Sequence, residues 1–351
     1  MELKLHTSQS YKIIIERGCL EQIGVCAAEL FRPGSKALIV SDTNVRPIYG
    51  ERVAQPLADS GFSCFSFAFP AGETSKRLSV IEQIYNVLAE NRFTRSDFIV
   101  ALGGGVTGDM AGFAAATYLR GIRFIQVPTT LLSQIDSSVG GKTGVDLPQG
   151  KNLVGAFHQP SLVLIDPDTL NTLPPRYFSD GMGEAIKYGC IKSRPLFDLI
   201  QNTDIHETME KMIFQCVDIK REVVERDEFD NGERMLLNFG HTFGHALEKL
   251  YRFEKLSHGE AVGIGMVLMA KYGENAGVTK PGTADEITSV LKKYNLPVGD
   301  AMTMDRIMEA TAFDKKNSGD SIHLILLKEI GESFVKSFSR SELAEFCGVL
   351  Q

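Results

Sequence analysis

Short apolar runs alternate with helical patterns throughout the first half of the chain. The apolar runs are rich in β-branched and aromatic residues and have no polar face, which is typical of strands that are buried on both sides. Strands are predicted at 36–42, 64–69, 97–105, 124–130 and 162–167, with helices at 79–92 and 108–119. This alternation predicts an α/β domain in which helices cover both faces of a parallel sheet.

The pattern changes near residue 173, where long helical periods replace the strands. Helices are predicted at 179–192, 207–226, 234–250, 258–276, 283–294 and 304–312, followed by a strand pair at 322–327 and 332–338. Pro174 and Pro175 interrupt any helix at the transition. We therefore expect an α/β domain over residues 1–172 and a mainly α-helical domain over residues 173–351.

Composition narrows the classes of function. The chain has 351 residues, 43% of them hydrophobic, and a formal net charge of −7. A mildly acidic chain without a basic run is a poor duplex-binding protein, because such proteins cluster cations against phosphates. No apolar stretch approaches the length of a membrane span, and the N-terminus lacks a secretory pattern. The six cysteines are scattered without a C-x-x-C pair, so we expect reduced thiols in a cytoplasmic protein.

A glycine-rich segment follows the third predicted strand. The string GGGVTGD at 103–109 fits G-x-G-x-x-G in a strand–turn–helix context, which is typical of pyrophosphate binding at a helix N-terminus. Its late position and the lack of an acidic residue about twenty residues later are atypical of a Rossmann domain, and a structural glycine turn is the alternative. Polar residues at other strand ends favour a nucleotide: Asp42, Glu73 with Lys76, and Thr129 with Thr130.

Two lysines lie in segments that we interpret as short, flexible loops. Gly141-Lys142-Thr143 resembles the end of a P-loop, but Asp136 occupies the position where that motif needs its first glycine. Lys142, and Lys151 with Asn152, are therefore interpreted either as solvated surface residues or as ligands for a phosphorylated, acidic substrate.

The strongest chemical pattern lies in the second half. Arg234, Asn238, His241 and His245 are spaced i, i+4, i+7 and i+11, which predicts one polar stripe on an otherwise apolar helix. His258 opens the next helix, where Ser257 and Glu260 form a predicted capping box.

A carboxylate completes a possible metal set. Glu184 stands three residues before Lys187, and one carboxylate with two imidazoles is a common catalytic zinc set. The spacing leaves open whether His241 or His245 is the second imidazole.

Several long strings, taken in order, resemble the 3-dehydroquinate synthase family within the sugar-phosphate cyclases. They are GGGVTGDMAGFAAATYLRG, VPTTLLSQIDSSVGGKTGVD, GKNLVGAFHQP, GMGEAIKYG, LNFGHTFGHALE and SHGEAVGIGM, spread over roughly 100–270. The chain departs from the family pattern at Met182-Gly183, where Leu-Ala is expected, and in the segment after Lys316. The resemblance implies a Rossmann-like NAD-binding α/β domain, an all-α C-terminal domain of the dehydroquinate synthase type, and an active site between them.

The resemblance also implies roles for individual residues. The metal ligands, for zinc or cobalt, would be Glu184, His241 and His258. The NAD-binding residues would be Asp42, Asn44, Glu73, Lys76, Gly105, Val106, Gly108, Asp109, Thr129, Thr130, Asp136, Lys142, Lys151, Thr169 and Thr172. The substrate-binding and catalytic residues would be Lys142, Lys151, Asn152, Lys187, Lys220, Arg234, Asn238, His245 and a lysine of the Asp314-Lys315-Lys316 string, taken as Lys316. Arg120 would reach the phosphate site of a neighbouring subunit, which implies a homodimer.

The implied reaction is a lyase reaction that borrows a hydride. NAD oxidises 3-deoxy-D-arabino-heptulosonate 7-phosphate at C5, phosphate leaves by β-elimination, the hydride returns, and an aldol closure gives 3-dehydroquinate. A related sugar-phosphate cyclase, a metal-dependent polyol dehydrogenase of the glycerol dehydrogenase type and a non-catalytic nucleotide-binding protein are the alternatives. The dehydrogenase would release NADH stoichiometrically.

Overall fold

The computed structural model describes residues 1–311 and 321–348 of the chain. Its backbone forms two compact units, Met1–Pro174 with Lys220–Phe229, and Pro175–Ile219 with Asp230–Gln351. The domain boundary after residue 172 stays a prediction. Within the described ranges, none of the helices combines the length and hydropathy that a bilayer-spanning segment needs.

The first unit is built on a seven-stranded sheet. Its elements are β1 Glu2–Leu5, β2 Tyr11–Ile15, α1 Ile23–Ala28, β3 Lys36–Asp42, α2 Arg46–Asp59, β4 Ser63–Phe69, α3 Leu78–Glu90, β5 Phe98–Gly103, α4 Gly105–Thr117, β6 Arg123–Pro128, β7 Lys142–Leu147, β8 Gly150–Phe157 and β9 Leu162–Ile165. The sheet has the order β1-β2-β9-β6-β5-β3-β4 and is parallel except where β1 pairs with β2. A separate antiparallel hairpin joins β7 to β8.

Both faces of this sheet are covered, as the continuous apolar runs predict. In β3, Ala37 and Ile39 belong to one buried cluster, while Leu38 and Val40 belong to another. Because successive side chains of a strand point to opposite faces, the two clusters lie on opposite sides of the sheet. The sequence pattern did not predict β1, β2, β7, β8, α1 or α2.

The strand order reverses between β3 and β5, which are neighbours in the sheet although β4 lies between them in sequence. The chain runs from β3 outward to β4 in one direction, and from β5 to β6 in the other. In doubly wound sheets, ligands bind outside the carboxyl ends of the strands at this reversal. Asp42 ends β3 and Gly103 ends β5.

The second unit is helical with one hairpin. Its elements are α5 Pro175–Lys192, α6 Arg194–Asn202, α7 Met209–Arg226, α8 His241–Leu250, α9 His258–Asn275, α10 Thr283–Lys293, α11 Met304–Thr311, β10 Ser321–Glu329, β11 Glu332–Ser339 and α12 Arg340–Phe346, with the last residues of α7 grouped in the first unit. The late strand pair is confirmed as an antiparallel hairpin. Pro175 does not interrupt α5 but begins it, since the first helical position needs no hydrogen-bonded N–H.

The prediction of one helix over 234–250 is wrong. A 3₁₀ helix covers Glu233–Asn238, and α8 begins only at His241. Gly240, between them, has a left-handed φ of 79°. A Cβ on Gly240 would lie 2.7 Å from the carbonyl oxygen of Val262, so α9 packs directly on the backbone there. The break splits the predicted stripe, because Arg234 and Asn238 precede it while His241 and His245 follow it.

Two further predictions near the glycine segment need correction. Helix α4 begins at Gly105, three residues earlier than expected, so Gly105 and Val106 lie in its first turn rather than in a strand and a loop. Lys142, Lys151 and Asn152 do not lie in loops, because β7 begins at Lys142 and β8 contains Lys151 and Asn152. Cross-strand pairing of this short hairpin, which α4 packs against, outweighs the local glycine content.

Candidate metal and nucleotide sites

Three side chains of the second unit converge on a small volume. Glu184 lies on α5, His241 is the first residue of α8, and His258 is the first residue of α9. Glu184 Oε1 lies 3.5 Å from His241 Nε2 and 3.5 Å from His258 Nε2. One atom from each of the three lies within 4.8 Å of the others.

These separations fit a shared metal ion better than hydrogen bonds. A good N–H···O hydrogen bond spans about 2.7–3.2 Å. Two ligands on one tetrahedral zinc, each with a bond of roughly 2.0–2.1 Å, lie about 3.3 Å apart. The carboxylate and the two imidazoles are also the donor types that zinc and cobalt accept. The residues present therefore fit a divalent metal, although the structure carries no ion.

Different oxygens face the Nδ1 atoms of the two imidazoles. His241 Nδ1 lies 3.1 Å from the carbonyl oxygen of Phe239 and donates its N–H to that oxygen. The lone pair of Nε2 is therefore available to bind a metal. His258 Nδ1 lies 3.7 Å from Glu248 Oε2. Glu248 was not predicted from the sequence, although it stands seven residues after His241 on the same helix, where two turns bring side chains to one face.

The electrostatics of the two imidazoles also differ. Burial, with the neighbouring Lys187 ammonium, holds the pKa of His241 well below its usual value. Burial disfavours the charged form of His258 as well, but the carboxylates of Glu184 and Glu248 outweigh it and raise the pKa of His258 to about 10. In the metal-free protein, His258 is therefore the imidazole that carries the second proton and with it a positive charge.

Close backbone contacts bring the ligand-bearing helices together. A Cβ on Gly183 would lie 2.9 Å from the carbonyl oxygen of Gly259, so this departure from the family pattern stands where α5 packs on α9. The Asp180 carboxylate, one turn before Glu184, accepts the N–H of Gly259 at 2.5 Å. The first turn of α9 is thereby anchored to the helix that carries Glu184. Asp180 was not predicted from the sequence either.

Glu260 caps the start of α9, as predicted. Its carboxylate accepts the backbone N–H of Ser257 at 2.8 Å and also pairs with Arg176 at 2.8 Å. These contacts account for Glu260 as a structural residue, in line with the interpretation made from the sequence. They hold the turn from which His258 projects.

The other residues predicted in the second unit differ in their burial and in their distance from Glu184, His241 and His258. Lys187 is 2% exposed and donates to Glu184 Oε2. His245 is half-exposed, and its Nε2 lies 4.0 Å from Glu248 Oε2 rather than near Glu184. Arg234 is buried and Asn238 is partly buried, both in the 3₁₀ helix before Gly240. Lys315 and Lys316 lie outside the described residues.

In the first unit, a cluster around a buried lysine joins four of the predicted residues. Lys76 Nζ donates to Asp109 Oδ2 at 2.6 Å and to Asn152 Oδ1 at 2.6 Å, with Glu73 Oε1 4.0 Å away. Burial opposes the charge of Lys76, but the Asp109 and Glu73 carboxylates outweigh it and raise the pKa of Lys76. Asp146, which the sequence analysis did not single out, accepts the N–H of Asn152 at 2.7 Å and supports its left-handed φ of 54°.

The predicted strand-end residues lie at the carboxyl edge of the sheet. Asp42 Oδ1 accepts the N–H groups of Asn44 at 2.8 Å and Val45 at 3.0 Å, which forms a turn after β3. Thr129, directly after β6, donates its N–H to the Gly103 carbonyl at 3.0 Å. Its hydroxyl oxygen is buried without a hydrogen-bond partner among the described residues. An unpaired buried hydroxyl beside a glycine turn fits contact with a ligand.

Other predicted residues of this edge are bound within the protein. Tyr49 shares a hydrogen bond with the hydroxyl of Thr172 at 2.7 Å, and Gln134 donates to the hydroxyl of Thr169 at 2.9 Å. Thr130 is tied to Ser133 by their hydroxyls at 2.9 Å. These contacts position the loops, and the sequence alone does not reveal them.

The remaining predicted cations differ in their hydrogen bonds and in their exposure. Lys220 Nζ donates to the carbonyl oxygen of Asp136 at 2.5 Å and to its Oδ1 at 2.8 Å. Lys142 is exposed and Lys151 is partly buried. Arg120 is exposed and has a left-handed φ of 65°, directly after Leu119 with a φ of 50°.

Four of the six cysteines are buried. None of the six cysteines forms a disulfide, and burial raises the pKa of Cys19 and of Cys347 to about 12. A thiol with such a pKa is unreactive at neutral pH.

The sequence matches two family models in succession. Residues 66–180 match the N-terminal model of 3-dehydroquinate synthase, and residues 181–317 match the C-terminal model. The chain is 48% identical over 346 residues to the 3-dehydroquinate synthase of Clostridium acetobutylicum, covering 97% of both chains. The chain belongs to the 3-dehydroquinate synthase family. It is also 51% identical to the 3-dehydroquinate synthase of Clostridium perfringens strain 13, covering 93% of this chain and 95% of the relative.

The fold of this chain is also that of a solved sugar-phosphate cyclase structure. It is a 2-epi-5-epi-valiolone synthase from Streptomyces hygroscopicus subsp. jinggangensis 5008 with NAD⁺ and Zn²⁺ bound. Its TM-score is 0.86 at 28% identity, and the match covers 98% of this chain and 97% of that one. The predicted class, an α/β unit and a helical unit, is confirmed. The cyclase is less similar in sequence than the two clostridial synthases, which favours the synthase over the cyclase alternative.

Proposed function

We propose that this chain converts 3-deoxy-D-arabino-heptulosonate 7-phosphate into 3-dehydroquinate and phosphate, a step of the shikimate pathway of aromatic amino-acid biosynthesis. The observation that carries the proposal is the convergence of Glu184, His241 and His258 within a chain that is about half identical to named synthases over its length. A dehydrogenase of the polyol type is not favoured by any contact in the described residues.

Glu184, His241 and His258 would hold the metal, zinc or cobalt, and the carboxyl edge of the sheet would hold NAD. When bound, the metal would polarise a substrate hydroxyl as a Lewis acid, and NAD would accept and return a hydride. Support for NAD comes from the strand-order reversal and from the hydroxyl of Thr129 beside Gly103, which is buried and has no hydrogen-bond partner within residues 1–311 and 321–348.

The chain's own residues would orient the anionic substrate. The ammonium of Lys187 pairs with the carboxylate of Glu184 and would place a positive charge beside the metal ligands. The proposed substrate-binding set is Arg120, Lys142, Lys151, Asn152, Lys187, Lys220, Arg234, Asn238, His245 and Lys316. Its cations account for anion binding by a chain of net charge −7, because local rather than net charge decides where an anion is held.

Two parts of the proposal concern the state of the protein in the cell. The family resemblance and the exposed Arg120 support a homodimer in which each arginine serves the neighbouring subunit. The six cysteines, none of which forms a disulfide, support a reducing compartment, the cytoplasm.

A multiple-turnover assay with limiting NAD tests the reaction. Purified protein is mixed with the heptulosonate phosphate, zinc, and NAD at one tenth of the substrate concentration. Phosphate, 3-dehydroquinate and NADH are followed together. The proposal expects phosphate and dehydroquinate in equal amounts, well above the NAD supplied, with no net NADH.

Other products would identify the alternatives. NADH formed in proportion to substrate, without phosphate, would refute the synthase and point to a polyol dehydrogenase. Release of phosphate only from a different sugar phosphate would point to another cyclase. The absence of any turnover, with NAD bound, would point to a nucleotide-binding protein.

A further inference from the structure

Glu248 is a buried carboxylate directly behind the proposed metal centre. It lies on α8, and its side chain is 5% exposed. Its Oε2 lies 3.7 Å from His258 Nδ1 and 4.0 Å from His245 Nε2. A carboxylate that is almost completely buried requires nearby donors, since water cannot solvate it.

The position of His258 between two carboxylates defines what Glu248 can do. Nε2 of His258 lies 3.5 Å from Glu184, on the metal side, while Nδ1 lies on the Glu248 side. An imidazole that binds a metal through Nε2 keeps its proton on Nδ1, and that proton needs an acceptor. We propose that Glu248 is the positioning residue of the metal centre, accepting the Nδ1–H of His258 and aiming Nε2 at the metal. This inference rests on the proposed metal set.

His241 differs from His258 in the group that faces its Nδ1 atom. His241 Nδ1 already has a backbone acceptor, the Phe239 carbonyl at 3.1 Å. Its partner is neutral and cannot be removed by a side-chain substitution. His258 instead faces an anionic partner, and a carboxylate behind an imidazole makes that imidazole a stronger metal ligand. The 3.7 Å separation has to close by about 0.7 Å to form a hydrogen bond, which metal binding through Nε2 would favour.

A different role for Glu248 competes with this one. His245, Glu248 and His258 also place three ligand atoms within 4.8 Å of one another, as a second cation site would. Such a cation would take Nδ1 of His258 while the first metal takes Nε2, so both ring protons would have to leave. One proton shared with Glu248 is chemically simpler, and the second cation is an outcome that the experiment can detect.

The experiment compares zinc binding to four metal-free proteins: wild type, Glu248→Ala, Glu248→Gln and Glu274→Gln. Zinc dissociation constants and stoichiometry come from competition with a chromophoric chelator at fixed pH, and urea unfolding of each metal-free protein checks the fold. Glu274 is the matched control, because it is a carboxylate near the far end of α9 that accepts the N–H of Ala284 at 2.8 Å. Cobalt replaces zinc in a parallel series, since its absorption spectrum reports the ligand geometry directly.

We expect one zinc per chain in all four proteins and a dissociation constant about 10–100-fold higher in Glu248→Ala. Glu248→Gln keeps an oxygen acceptor but loses the charge, so its loss should be smaller and its cobalt spectrum should shift. Glu274→Gln should bind zinc as the wild type does, whatever its effect on unfolding. Glu248→Gln also keeps the test valid if Glu248→Ala does not fold.

Two results would overturn the inference. Wild-type affinity and an unchanged cobalt spectrum in the folded Glu248 variants would remove Glu248 from the centre. Two zinc ions per wild-type chain, with only the second lost in the Glu248 variants, would make Glu248 a ligand. The variant His258→Ala distinguishes these two results from an error in the proposed metal set. If that variant also binds zinc normally, the metal set itself is wrong; if it loses zinc while the Glu248 variants do not, only the positioning role fails.

Discussion

Gly240 is the point where a small side-chain change would damage the metal centre through the backbone. It stands directly before His241, has a left-handed φ of 79°, and packs against α9. Gly240→Ala would add one methyl group there. That Cβ would lie 2.7 Å from Val262 O, 2.7 Å from Met266 Cγ and 2.9 Å from Met266 N. Two of these three atoms belong to the backbone of a packed helix and cannot rotate away.

The expected cost has two separable parts. A left-handed conformation costs a residue with a Cβ roughly 1–2 kcal/mol, partly offset by about 0.4–1 kcal/mol from the less flexible unfolded chain. The overpacked contact adds roughly 1–3 kcal/mol. Relieving the 2.7 Å approach to Val262 requires a shift of roughly 0.7 Å to reach an ordinary van der Waals distance. Metal–ligand distances tolerate only about 0.2 Å, so we also expect weaker zinc binding, by about tenfold or more.

Gly277→Ala supplies the matched control. Gly277 follows α9 with a φ of 68°, and a Cβ there would meet nothing within 4 Å. It therefore carries the conformational cost without the contact. The chain contains no tryptophan, so urea unfolding of the metal-free proteins is best followed by far-ultraviolet circular dichroism. The free energy of unfolding should be lower for Gly240→Ala than for Gly277→Ala by about 1–3 kcal/mol.

Equal destabilisation of the two variants would show that the contact with α9 contributes nothing. Loss of stability in Gly240→Ala with unchanged zinc affinity would show that the break does not position His241. Either result would refute the reasoning that the break at Gly240 shapes the site.

Three further predictions concern the ion pairs of the two sites. Glu184→Gln should lose most of the bound zinc while keeping its helical content, because an amide is a poor metal ligand; wild-type zinc content in metal analysis would exclude Glu184 from the set. Lys76→Met leaves the Asp109 carboxylate without its 2.6 Å partner, so the free energy of unfolding should fall by roughly 3 kcal/mol, and adding Asp109→Asn should restore most of it in urea titrations. Because the pKa of His258 is raised to about 10, its protonation stabilises the metal-free protein below about pH 6.5, and that stability is lost as the pH rises toward 10. Zinc must displace the same proton, so apparent zinc affinity should rise over this window, and a flat profile in chelator competition would contradict the assignment.

The elements that local pattern governs were predicted well. The strand at 36–42 and the helices near 209–226, 258–275 and 283–293 have the predicted type and nearly the predicted ends. Each has a strong periodicity or a cap of its own, such as the Ser257 and Glu260 pair at the start of α9. The failures lie where distant segments decide. Of the strands that were not predicted, β2 pairs with β9, which lies far along the chain, and β1 pairs with β2.

The sequence by itself determined which chemical groups the site contains. It identified Glu184, two imidazoles and the glycine turn, and it left His241 and His245 as equal candidates until the family resemblance was considered. Tertiary structure decided how these groups are used. Gly240 is compatible with a helix or with a left-handed turn, and only packing against Val262 and Met266 of α9 selects the turn. Likewise, Glu248 meets His258 only because two helices come together, and a contact between distant segments leaves no periodic signal in the chain.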